Sequence, residues 1–155
     1  MATLKLSDDF YEPTCSLVAV HCPMEAYRLA YFLNLHLQIG LRRTAGKEPN
    51  EGDMLSEYYE WENRMEETVW SLIVNATRTT VSSAGNALFP SDVLTMTKYL
   101  IPEMKKVDYF LKIDNAEGYD IDRQIVQRIN KIPRIATAYE VDVNQLKSKH
   151  NLIFL

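Results

Sequence analysis

Three side chains near the amino end carry the densest potential chemistry in the chain: Cys15, His21 and Cys22. A tetrahedral metal site needs thiolate and imidazole ligands converging on one point. On an extended strand Cys15 and His21, an even number of residues apart, share a face, whereas Cys22 points away from Cys15 unless the strand has already ended. No second Cys or His pair follows downstream, so buried thiols and a strand-end histidine account for the cluster better than a metal, and no metal ligand is assigned. Cysteine–histidine catalysis would draw on Cys15 or Cys22 with His21, His36 or His150. No motif of the Gly-x-Ser-x-Gly or His-Glu-x-x-His kind accompanies them. His36 falls toward the end of a helix, where the dipole favours an imidazolium. The adjacent acids Asp8–Asp9 and Glu66–Glu67 sit in polar, turn-like runs. The five glycines are scattered singly, so no phosphate-cradling loop is formed. No catalytic or cofactor-binding residue is assigned, and no cofactor is expected; a small enzyme using Cys15, His21 or Glu103 remains a minority alternative.

Nucleic acid is the other class with residues of suitable type. Arg42, Arg43, Arg78, Lys147, Lys149 and His150 supply positive charge, and Tyr58, Tyr59, Trp61 and Trp70 supply rings on which bases could stack. The formal charge of the 155-residue chain is −4, which repels polyanions as a whole. Aromatic core residues and scattered solvated cations are therefore the preferred reading, with an RNA-associated factor as an alternative.

These side chains have to be positioned by a single domain, residues 1–155. Hydrophobic residues make up 46% and charged residues 25%, the composition of a globular chain. Met1 to Phe10 contains no apolar run of signal-peptide length, and the stretch from Ala26 to Leu37 is too short and too polar to span a membrane. A cytoplasmic protein with free thiols is expected.

Thr14 to His21 reads as a strand buried on both faces. Pro23 and Glu25 mark the first turn of a helix, and Ala26, Leu29, Ala30, Leu33 and Leu37 form its apolar face. Met24, Tyr27, Tyr31 and Leu35 make a second stripe on the neighbouring side. It is expected to be covered by the C-terminal segment or, failing that, by another subunit. Leu41 to Thr44 is a short strand and Ala45 to Asp53 a loop. Leu55 to Trp61 and Thr68 to Asn75 form a hairpin, joined by the polar run Glu62 to Glu67. Residues 76–97 read as a long connection with a small helix after Ser91 or Asp92. Val107 to Asp114 is a strand whose polar face has Phe110 as an apolar exception. Asp120 caps a helix with Ile121, Ile125, Ile129 and Ile132 inward, Pro133 ends it, and Arg134 to Val143 is a further strand. Asn144 opens a short C-terminal helix, followed by the apolar tail Leu152 to Leu155.

The arrangement these elements imply is α+β: a mainly antiparallel sheet with two main helices on one face, ferredoxin-like or ACT-like, plus the short C-terminal helix. The segment Ile101-Pro102-Glu103-Met104-Lys105-Lys106-Val107-Asp108-Tyr109 resembles the motif that defines the IPExxxVDY family of small bacterial proteins, chiefly of Bacteroidota. The resemblance extends over most of the chain and implies a bacterial cytosolic protein, with no family activity to carry over. Within the motif, Pro102 suits a bend into the following strand. Glu103 is expected to accept backbone hydrogen bonds, Asp108 to pair with a cation and Tyr109 to pack in the core, rather than to bind a ligand. Missing chemical motifs and the wide apolar helix surface together point to a non-catalytic protein-interaction or regulatory domain. A protein partner or a second copy is expected, with nucleic acid a minority partner and no membrane.

Overall fold

The computed structural model describes residues 15–45, 57–82 and 93–152. A continuous apolar run makes β1 (Cys15–His21), which leads into α1 (Ala26–Leu37) and then β2 (Arg42–Ala45). The hairpin β3 (Glu57–Asn63) and β4 (Thr68–Val74) follows, then β5 (Ala76–Ser82), β6 (Val93–Tyr99) and β7 (Tyr109–Asp114). A π-helical turn, Ile121–Val126, continues into α2 (Gln127–Asn130), and β8 (Thr137–Val141) completes the strands.

Six strands form one sheet in the order β2-β3-β4-β7-β1-β8, every neighbouring pair antiparallel. β4, β7, β1 and β8, with helices after β1 and β7, have the connectivity of a split β-α-β unit, and β2 and β3 extend it at the β4 edge. The ferredoxin-like expectation rests on that connectivity.

Both faces of the sheet are covered, which explains the uninterrupted apolar run of β1. Val18 and Val20 face α1, which buries Leu29, Ala30, Leu33 and Leu37, and the segment from Ile121 to Ile132 adds Ile121, Ile125, Ile129 and Ile132 to the same layer. Leu17 and Ala19 face the other way, onto Ile73, Phe110, Leu100, Ile101, Val107, Val143, Leu146 and Leu152. Phe110 is thus no exception on a polar face. It is a fully buried member of a second core, and Lys112 beside it is also buried, with Nζ 3.4 Å from Asp114.

Several expectations are corrected. Pro23 precedes the helix rather than opening it, because α1 begins at Ala26 with Glu25 in extended backbone at its N-cap. The helix expected after Ser91 or Asp92 is replaced by β6, which pairs antiparallel with β5 in a separate two-stranded sheet. The threonines of this region favour strands through their β-branching, and the glycine and proline between them had masked that preference. The inner face of Ile121 to Ile132 lies as expected and Asp120 caps it, Oδ1 accepting from the Arg123 N–H at 3.2 Å, but its first turn is π-wound. β8 is confined to Thr137–Val141, with Ala138 its buried residue. In place of a final α-helix there are two 3₁₀ turns, Val143–Gln145 and Lys149–Leu152, the first capped by Asp142 and not Asn144. These C-terminal turns pack on the face of the sheet away from α1, so among the described residues they do not cover the Tyr27–Tyr31–Leu35 stripe. Leu55, Asp8, Asp9, most of the loop from Ala45 to Asp53 and the tail beyond Leu152 lie outside the described residues. No helix among the described residues is long and apolar enough to cross a membrane.

Candidate functional site

The segment 101–109 is organised around Asn75, the residue joining β4 to β5. Asn75 is fully buried. Its N–H donates to Asp108 O at 3.0 Å and its carbonyl accepts from Leu100 N at 2.8 Å. Its side-chain Oδ1 accepts from Ile101 N at 3.0 Å, while Nδ2 donates to Met104 O at 2.8 Å and Val107 O at 2.9 Å. One carboxamide therefore satisfies the turn that Pro102 initiates, and the turn drives Ile101 and Val107 into the second core.

The remaining polar groups of the motif fasten other parts of the chain to it. Asp108 Oδ2 accepts from Cys22 N at 2.9 Å, a backbone donor rather than the cation expected for it. The Tyr109 hydroxyl donates to Met24 O at 2.7 Å, and burial, with the nearby Cys22 and Asp108, pushes its pKa up to about 12. Glu103 Oε2 accepts from Lys147 N at 2.9 Å. Burial pushes the Glu103 carboxyl up, but the hydrogen bonds from Ser148 and from the Lys147 backbone outweigh it and hold the group below its ordinary value. Asn151 Nδ2 donates to Leu100 O at 2.8 Å, binding the last turn to the same segment. The motif thus ties together the end of β1, the entrance to α1, the β4–β5 junction and the C-terminal turns.

The amino-terminal thiols are not gathered with histidine. Cys15 and His21 occupy opposite ends of β1, roughly 20 Å apart at strand rise. Burial raises the pKa of both Cys15 and Cys22, which disfavours the thiolate a nucleophile requires. His21 Nε2 instead meets the Tyr139 hydroxyl at 3.0 Å. No group of three or more His, Cys, Asp and Glu among the described residues could hold a metal ion. The basic residues are also dispersed. Arg42 and Arg43 lie on edge strand β2, Arg78 on the separate sheet, and Lys147, Lys149 and His150 in the terminal turns. Tyr58 packs toward the second core, while Tyr59 and Trp61 face the helices.

Two of the sequence's stacking candidates do meet. The β3–β4 register places Trp61 directly opposite Trp70, with ring centroids 6.1 Å apart, and Tyr119 meets Trp70 edge-on at 5.7 Å. Trp70 is buried, its indole N–H donating to Thr68 Oγ1 at 3.1 Å, and Trp61 is half-buried above it. In the last turn of α1, Asn34 clamps the following chain through both its amide and carbonyl groups to Leu41, at 3.1 and 2.8 Å. That clamp lays Gly40 against Trp61, where a Cβ would come within 3.1 Å of the indole. The result is a cleft of about 290 Å³ lined by Gln38, Trp61, Trp70, Tyr119, Gln124 and Arg128, with Asn63 and Glu66 at its side. The Trp pair was visible in the sequence as hairpin residues. The contributions of Gln38, Tyr119, Gln124 and Arg128 carried no local signal, because they come from the end of α1, a loop, the π-turn and α2, all distant in the chain from the hairpin.

Of the proposed interface residues, Met24 is buried at 6% exposure and belongs to the core. Tyr27, Tyr31 and Leu35 are exposed to 58, 63 and 60%, on the side of α1 turned away from the sheet. Compared with protein families, curated proteins and solved structures, the chain matches none.

Proposed function

We propose that the protein is a non-catalytic interaction or regulatory domain that associates through the outward face of α1, with a second copy of the same chain as its partner. The observation that carries this reading is the grouping of apolar exposure. Among the described residues six large hydrophobic side chains are exposed, and three of them, Tyr27, Tyr31 and Leu35, share one helix face at a spacing of four. The other three, Met65, Met96 and Tyr139, lie on separate elements. A straight stripe of this kind is self-complementary across a two-fold axis, since each helix offers the other the same ridge.

The strength of the association follows from its size. Three side chains exposed to about 60% offer roughly 300 Å² in total, well short of the ~800 Å² per partner of a standard stable interface. Self-association is therefore weak and depends on concentration. Light scattering across a concentration series tests it: the mass climbs toward a dimer for the native chain and stays monomeric for Tyr27→Ser/Tyr31→Ser. The likeness of Ile101–Tyr109 to the IPExxxVDY motif supports placing this function in the bacterial cytosol.

A further inference from the structure

We propose that the aromatic cleft beyond the end of α1 binds a mononucleotide, its base against Trp61 with its edge read by Gln38 and Gln124, and its phosphate on Arg128. The cleft is built rather than incidental. Gly40 backs the Trp61 indole so closely that a Cβ there would lie 3.1 Å from the ring, and the Asn34–Leu41 clamp holds that loop against it. Gln38 is held in left-handed backbone at φ 55°, and Gln124 projects from the π-turn, a feature frequent at functional sites.

The polar groups on the cleft wall select the ligand chemistry. The carboxamides of Gln38 and Gln124 hydrogen-bond no other described residue, and the Arg128 guanidinium has no ion pair among them. A carboxamide presents a donor and an acceptor side by side, the pattern complementary to a nucleobase edge, and an indole plane stacks on any base. Glu66, whose Oε2 accepts from Asn63 Nδ2 at 3.2 Å, keeps its other oxygen to accept from a sugar hydroxyl. A cavity of about 290 Å³ lies at the lower limit of small-molecule sites, a size for one base and its sugar with the phosphate at the mouth. The net charge of −4 and the Glu66 carboxylate in the wall disfavour a polyanion, so the ligand is a free nucleotide rather than an RNA strand.

The test uses the full chain, tryptophan fluorescence and calorimetry, with the common ribonucleoside 5′-monophosphates, the matching nucleosides and an unpaired oligoribonucleotide. Saturable quenching by at least one monophosphate is expected. Gln124→Ala should weaken it by about tenfold, and Arg128→Ala should weaken the monophosphate by a similar factor while leaving the nucleoside unchanged. Both side chains are at the surface, and circular dichroism checks that the fold is intact. Absence of saturable binding up to millimolar nucleotide, binding as tight in both variants as in the native chain, or binding confined to the oligoribonucleotide would each overturn the proposal.

Discussion

Asn75 shows most directly how a single residue organises this chain. Its five hydrogen bonds hold a buried turn whose own backbone has few other partners there. Asn75→Ala leaves Ile101 N–H and the Val107 carbonyl without their partner in the interior and Met104 O with the Val107 N–H alone, and should cost about 3 kcal/mol. Urea unfolding measures this, and a loss under about 1 kcal/mol would mean that water substitutes for the carboxamide. Tyr109 supplies a pH signature. Its folded pKa, about 12, lies above the ordinary value of 10.0, so the folded state holds the phenolic proton more tightly than the unfolded state does. The stability from this group is complete below pH 10 and falls as pH rises from 10 to 12. Tyr109→Phe should flatten that part of the stability–pH curve, and an unchanged slope would assign it to other groups. Capping by Asp120 was legible because its partner is three residues away. The hub role of Asn75 was not, since its partners lie twenty-five or more residues further on and only the folded chain brings them to it.

At the scale of elements, periodicity located β1, α1, the β3–β4 hairpin and the inner face of Ile121 to Ile132, because each buries a regular set of side chains. It misjudged elements whose burial is irregular. Phe110 looked misplaced in β7 only because a second core cannot be read from one strand, and β5 and β6 were obscured by the glycine and proline between them. The π-turn at Ile121–Val126 has no sequence signature at all, since the isoleucine spacing is equally compatible with α-winding. Of the aromatic cleft, only the Trp61–Trp70 pair could be anticipated. Gly40 joins that pair to α1, and because its backbone angle is not left-handed, substitution acts by steric contact alone. Gly40→Ala should displace Trp61, change the near-ultraviolet dichroism and cost about 1–3 kcal/mol. An unaltered aromatic spectrum would show that the loop yields instead and that Trp61 is not pinned.

For the whole molecule, the decisive feature is a sheet closed on both faces. Helices seal one side and the motif with the C-terminal turns seals the other, which leaves the outward side of α1 as the apolar surface with no internal use among the described residues. Tyr27→Ser/Tyr31→Ser should therefore leave the unfolding free energy measured in urea nearly unchanged, within about 0.5 kcal/mol, because solvent-facing side chains add little to folding. The measurement that tests the account most directly is sedimentation equilibrium of the native chain and this double variant across a wide concentration range. The account predicts a native mass rising from the 17.9 kDa monomer toward twice that value, and a variant that stays at the monomer mass. A native chain monomeric at every concentration, or a dimer indifferent to the substitutions, would contradict it.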